Sequence, residues 1–192
     1  MNRDELLQSL RDAGTSQDVL AAMTAVSRER FVPAEMASQA WNDSALRLAD
    51  GSTISQPAMV AVVLEELRLE AGLRVLEIGS GSGYLLALLN AMGAEAIGIE
   101  IDRHLAASSL RALGRDAMVL VGDAATVDRR PPYDRIVFSA ALKAIPDWPL
   151  CDLTPEGFLL APVGDDVQEL VRAHADGRRE RTGRLCRFVP FQ

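Results

Sequence analysis

Apolar positions fall into two regimes along the chain. Up to about residue 70 they recur at helical spacing. Leu6, Leu7 and Leu10 share one face of a segment that ends at Gly14. Thr15, three residues before Asp18, comes close to a capping box and opens a second helix over "TSQDVLAAMTAV". "RERFVP" stops at Pro33, "AEMASQAW" predicts a short helix, and Pro57 suits the first turn of a helix over "PAMVAVVLEELRL". From residue 73 short apolar runs alternate with amphipathic segments. Strands are predicted over "LRVLEIG", "EAIGIE", "AMVLVGD" and "DRIVFSA", with helices over "YLLALLNAMG" and "RHLAASSLRALG" between the first three. Apolar runs without alternation imply strands covered on both faces, hence an α/β fold with a mostly parallel, doubly wound sheet. "GFLLAPVG", "QELVRAHA" and "GRLCRFVPF" follow one another without helices and predict an antiparallel C-terminal edge.

The 192 residues suit one domain, residues 1–70 forming a helical segment and 71–192 the sheet-bearing core. The formal charge of −7 disfavours nucleic acid as a partner, because gripping a phosphate backbone calls for a basic surface. The charged opening "MNRDELLQSLRDAG" does not read as a signal peptide, and no run approaches the roughly 20 apolar residues of a membrane span. Cys151 and Cys186 lie far apart without metal-type spacing, which suggests two free thiols in a reducing cytoplasm and no metal site.

The most informative segment is "VLEIGSGSGY". A buried strand ends in Gly79, Gly81 and Gly83, and a helix follows at once. Such a turn lets backbone approach a ligand, and the helix N-terminus offers unpaired N–H groups. Dinucleotides, nucleotides and S-adenosyl-L-methionine all fit a lone turn of this kind. Three features narrow the choice. The spacing is G-x-G-x-G rather than the dinucleotide G-x-G-x-x-G. Glu77 just before the turn would repel a pyrophosphate but could hold the ammonium of a methionine moiety. Glu100 ends the next strand, where a ribose-binding acid belongs, and Gly122 and Asp123 end the third, where they can meet an adenine. Together they favour a nucleoside-type ligand, S-adenosyl-L-methionine ahead of NAD.

Beyond this turn, "SRERFVP", "QAW", "STISQPAMVA", "RVLEIGSGSGY", "GIE", "GD", "YDRIVFSAAL", "IP", "PVGDDVQEL" and "RFVPF" occur in an order and spacing that resemble the protein-L-isoaspartate O-methyltransferases over nearly the whole chain. The resemblance implies a Rossmann-like class I methyltransferase fold, with residues 1–70 on the substrate side. It implies methyl transfer from S-adenosyl-L-methionine, leaving S-adenosyl-L-homocysteine, to the free carboxylate of isoaspartyl residues in damaged proteins or peptides. A soluble cytoplasmic monomer acting on neither nucleic acid nor membrane is the matching expectation. Ser55 of "TIS" becomes the active-site residue, with Thr53 beside the cofactor and Ile54, Ser139 and Ala140 beside the substrate.

This chemistry suits the residues present. A carboxylate at neutral pH is already ionised, so methylating it calls for alignment more than for a base. A small hydroxyl can align an oxygen, and neither His104 nor His174 is placed as an obvious base. Ser55 also suits a helix N-cap two residues before Pro57, a role worth roughly 1 kcal/mol. Arg47, Ala49 and Ser52 depart from the family's usual "LPIGxGQTIS" lead-in, leaving the donor site intact but opening the acceptor to question. General repair of isoaspartyl proteins and a dedicated carboxyl methyltransferase acting on one peptide are the two readings this permits.

Overall fold

The computed structural model describes residues 1–48, 51–114 and 117–191, so Ala49 lies outside the described residues. Helix α1 (Arg3–Asp12) starts with a reciprocal capping box between Asn2 and Glu5 and buries Leu6, Leu7 and Leu10 as predicted. Helix α2 (Gln17–Ala25) is capped not by Thr15 but by Ser16, whose hydroxyl accepts the Val19 N–H at 3.4 Å. Arg28–Phe31 and Ala34–Gln39 form 3-10 turns, a tighter outcome than the short α-helix expected after Pro33.

A two-residue hairpin of β1 (Leu46–Arg47) and β2 (Thr53–Ile54) then leads into α3 (Pro57–Leu67), with Pro57 in its first turn. The core follows as β3 (Arg74–Ile78), α4 (Tyr84–Ala91), β4 (Glu95–Glu100), α5 (Arg103–Leu113), β5 (Met118–Val121) and β6 (Tyr133–Phe138). Strands β7 (Leu153–Gly164), β8 (Gln168–His174) and β9 (Arg179–Cys186) complete it.

The sheet order is β5-β4-β3-β6-β7-β8-β9, parallel from β5 through β7 and antiparallel at β8 and β9. The chain therefore runs outward from β3 in both directions, and the crevice beyond the carboxyl ends of β3, β4 and β6 is where such sheets hold ligands.

Side-chain alternation divides the core. Val75, Val137, Phe158 and Leu160 face the helices α1 to α4, whereas Leu76, Ile78, Ile136, Phe138 and Leu159 face the opposite layer. That second layer is built chiefly from irregular chain between β5 and β7, including Val127, Ile145, Trp148 and Leu150. The closing strand lies earlier than "GRLCRFVPF" suggests. Pairing ends at Cys186, because the Phe188 N–H turns to the Gln168 side chain at 2.8 Å and Val189–Phe191 bond to Ala141 instead.

Candidate active site

Two adjoining cavities open at the carboxyl ends of the central strands. The outer is a cleft of about 450 Å³ and the inner a pocket of about 50 Å³; Thr53, Gly79, Gly81 and Ser139 line both. Ser55, Ile54 and Glu77 line the inner pocket, and Glu100, Gly122, Asp123 and Ala140 the cleft. Among the residues assigned to the donor or acceptor site from sequence, Gly83 alone lines neither. It starts α4 at φ +83°, and a Cβ there would stand 2.9 Å from Leu113 Cδ1, so its role is helix-to-helix approach.

The glycine turn is built by backbone bonds. The N–H groups of Gly79 and Ser80 both donate to the Ile99 carbonyl, at 2.9 and 3.0 Å, which folds the chain back over the end of β4. Gly79 and Gly81 take φ +77° and +53°, and a Cβ on Gly79 would meet nothing within 4 Å, since its missing side chain faces open space. Glu100 is buried and accepts from the Gly81 N–H at 2.8 Å and the Asp102 N–H at 3.0 Å. Its carboxylate thus braces the turn and keeps lone pairs for hydroxyl donors in the cleft. Asp123 accepts the Ala125 N–H at 2.8 Å, shaping the bend after β5.

Glu77 is the electrostatic centre of the inner pocket. It is fully buried, Oε1 accepts the Ser139 hydroxyl at 2.8 Å, and among the described residues Oε2 has no partner within hydrogen-bond geometry. Burial pushes its pKa up to about 8 and nearby Glu100 adds to the rise, while the Ser139 hydroxyl and the backbone N–H of Leu86 pull the other way. A buried carboxyl with one orphaned oxygen fits a cationic group that donates hydrogen bonds, such as an ammonium. The hydroxyls of Ser80 and Tyr84, both lining this pocket, are likewise buried and unpartnered.

Ser55 is not the cap of α3. Gln56 occupies the N-cap position without capping the helix itself; its side-chain amide donates to Asp43 at 2.9 Å, and Asp43, 15 residues before Ala58, accepts the Ala58 N–H at 2.9 Å. The carbonyl of Ser55 accepts from Arg28 Nη1 at 2.9 Å, so the backbone is pinned while, among the described residues, the hydroxyl takes no hydrogen bond. The apolar walls around it are Val60, Val63, Leu85, Phe138 and Phe188.

Sequence reasoning passed over several contributors. Arg28 and Asp43 act at long range, which no local pattern reveals. Ile101 and Asp102 line the cleft directly after Glu100, Ile101 with 57% of its surface exposed. Gln168 is buried, and its hold on Phe188 sets the tail so that Val189, Pro190 and Phe191 also line the cleft. Phe191 also packs edge-on against Phe138, with ring centres 5.3 Å apart. Cys151 and Cys186 are both free thiols, outside either cavity.

The profile of the protein-L-isoaspartate(D-aspartate) O-methyltransferase family matches residues 1–192. A protein-L-isoaspartate O-methyltransferase of Roseiflexus castenholzii is 43% identical over 190 residues, spanning 95% of this chain and 87% of the relative. One from Methanospirillum hungatei is 42% identical over 181 residues, spanning 90% and 84%. Among solved structures, a Plasmodium falciparum chain crystallised with S-adenosyl-L-homocysteine superposes with a TM-score of 0.86 over 100% of this chain and 99% of its own. At 24% identity, that likeness speaks to the fold.

Proposed function

The chain belongs to the protein-L-isoaspartate(D-aspartate) O-methyltransferase family, and we propose that Ser55 orients the acceptor carboxylate for methyl transfer in the inner pocket. The activity is S-adenosyl-L-methionine-dependent esterification of the free carboxylate of L-isoaspartyl residues in proteins or peptides. The supporting observation is a single one: a serine hydroxyl without a protein partner, on a backbone pinned by Arg28, shares a cavity with the orphaned oxygen of Glu77.

When bound, S-adenosyl-L-methionine supplies a methyl group on a positively charged sulfur. The residues of this chain then divide the labour. Glu77 receives the ammonium through Oε2, with Oε1 held by Ser139. Glu100 receives ribose hydroxyls through the lone pairs left over from Gly81 and Asp102, and Gly122 and Asp123 border the base. Thr53, Gly79 and Gly81 line the passage between the cavities, and Ile54, Ser139 and Ala140 border the acceptor. The Ser55 hydroxyl donates to one oxygen of the incoming carboxylate and thereby aims the other. No proton has to be removed, so the gain is one of alignment. The apolar walls exclude water that would otherwise solvate the carboxylate.

In the same reading residues 1–192 act as one catalytic domain, residues 1–70 forming the substrate side, and the enzyme works as a cytoplasmic monomer without nucleic-acid or membrane partners. The continuous core running from Leu6 to Cys186 and the two free thiols support it. Among the described residues no helix is long and apolar enough to cross a membrane.

Paired peptides test the acceptor, one with isoaspartate and one with aspartate at the same position, assayed for base-labile methyl ester. Ester on the first alone is expected. Equal ester on both, or on neither while a different peptide is methylated, would favour a dedicated carboxyl methyltransferase.

A further inference from the structure

Among the described residues neither cavity is lined by a Lys or Arg, whereas Glu77, Glu100, Asp102 and Asp123 all line one or the other. An anionic acceptor entering this site therefore meets carboxylates on the donor side, on a chain that is already acidic at −7. Arg28 lies close by, but it is wholly buried, with Nε, Nη1 and Nη2 each donating to a carbonyl group.

The β1–β2 pair carries a cation opposite a residue that lines both cavities. Its register sets Arg47 directly opposite Thr53, and Leu46 opposite Ile54. Residues directly opposed on antiparallel strands project to the same face. Leu46 and Ile54 are buried, so Arg47 shares the other face with Thr53, the residue that lines both cavities. Arg47 is exposed, and among the described residues its side chain enters no ion pair or hydrogen bond. Cross-strand and along-strand spacings put its Cα on the order of 8 Å from that of Ser55, about two to three residues of extended peptide.

We propose that Arg47 is a specificity determinant that favours isoaspartyl acceptors carrying an acidic side chain within about two residues of the methylated position. The inference rests on reading the Ser55 pocket as the acceptor site. A solvated cation at this distance attracts a carboxylate on the peptide without touching the reacting oxygen. It acts on capture of the acceptor rather than on the methyl-transfer step, and salt weakens it.

The test uses isoaspartyl peptides identical except for one residue two positions to either side of the acceptor, set to Glu, Gln or Lys. kcat/KM is measured for the wild-type chain, Arg47→Gln and Arg47→Glu. The wild type should rank Glu above Gln above Lys, with about three- to fivefold between neighbours at low salt. Arg47→Gln should compress that ranking and Arg47→Glu should invert it, an inversion that damage to folding cannot produce. A ranking in Arg47→Glu identical to the wild type, or no charge ranking in the wild type while the Gln peptide is methylated, would overturn this inference alone. No ester on any isoaspartyl peptide would overturn the acceptor reading and this inference with it.

Discussion

Nη1 of Arg28 donates to the carbonyl oxygen of Ser55 at 2.9 Å, from a side chain with no exposed surface. The same guanidinium reaches the Ala40 carbonyl at 2.8 Å and that of Ser44 at 3.4 Å, and it lies 5.5 Å from the centre of the Tyr84 ring. Burial lowers its pKa to about 10, which leaves it charged at neutral pH. One planar fork thus ties the chain at Ala40 and Ser44 to the residue proposed to hold the acceptor.

A lysine cannot span those carbonyls. Arg28→Lys should leave at least one buried carbonyl unsatisfied and destabilise the fold by about 2–4 kcal/mol, read as a lower urea midpoint. Turnover measured well below that midpoint should also fall, because the Ser55 backbone loses its tether. Wild-type turnover in a destabilised Arg28→Lys protein would show that the tether serves folding alone.

Capping and chemistry reside in different residues, and two substitutions should separate them. Asp43→Ala removes the acceptor for the Ala58 N–H and should cost about 1 kcal/mol of stability, with little effect on the chemical step. Ser55→Ala should change stability by less than about 0.5 kcal/mol yet lower kcat by about 10- to 100-fold. Thermal unfolding and steady-state rates on the same preparations provide the comparison.

The glycines divide in the same way. Gly83→Ala would force a Cβ to 2.9 Å from Leu113 Cδ1 at φ +83°, so a loss of about 2–4 kcal/mol is expected from strain and overlap together. Gly79→Ala meets no protein atom within 4 Å and should lose only the backbone term of about 1–2 kcal/mol. Its added methyl group projects into the donor site, however, and should weaken S-adenosyl-L-homocysteine binding at least tenfold by calorimetry.

The glycine turn and the acids at the ends of β3, β4 and β5 were legible in the sequence because each is a local pattern: an apolar strand, a break, then a helix. The helical N-terminal segment and the antiparallel edge followed from periodicity for the same reason. Contacts between distant segments left no such trace. Asp43 caps a helix that starts 14 residues later, and Gln168 fixes Phe188 from the neighbouring strand, 20 residues before it. Ser55 looked like a cap because its spacing to Pro57 allowed one, and only the fold shows that Asp43 already fills the role. The end of β9 was misplaced because "RFVPF" has strand composition, yet its N–H and carbonyl groups bond to Gln168 and Ala141 outside the sheet.

The buried carboxyl of Glu77 should make donor binding and stability depend on pH in linked ways. Its pKa rises from the ordinary 4.5 to about 8 in the folded, ligand-free protein. Between those values the folded state binds more protons than the unfolded one, so stability declines as pH increases across that window, by as much as about 1.4 kcal/mol per unit from this group alone. Glu77→Gln removes the ionisation and should flatten this decline, leaving the variant more stable than wild type near pH 8. Binding a donor through its ammonium requires the ionised carboxylate, so at pH 7 association should release a proton. Calorimetry in two buffers of different ionisation enthalpy should detect that release with S-adenosyl-L-homocysteine, and affinity should rise from pH 6 to 8. Glu77→Gln should lose both the proton release and the slope, and should bind more weakly throughout. Proton-neutral binding by the wild type, with an affinity flat across the window, would mean that Glu77 is already ionised before the donor arrives, or that the ammonium is held elsewhere.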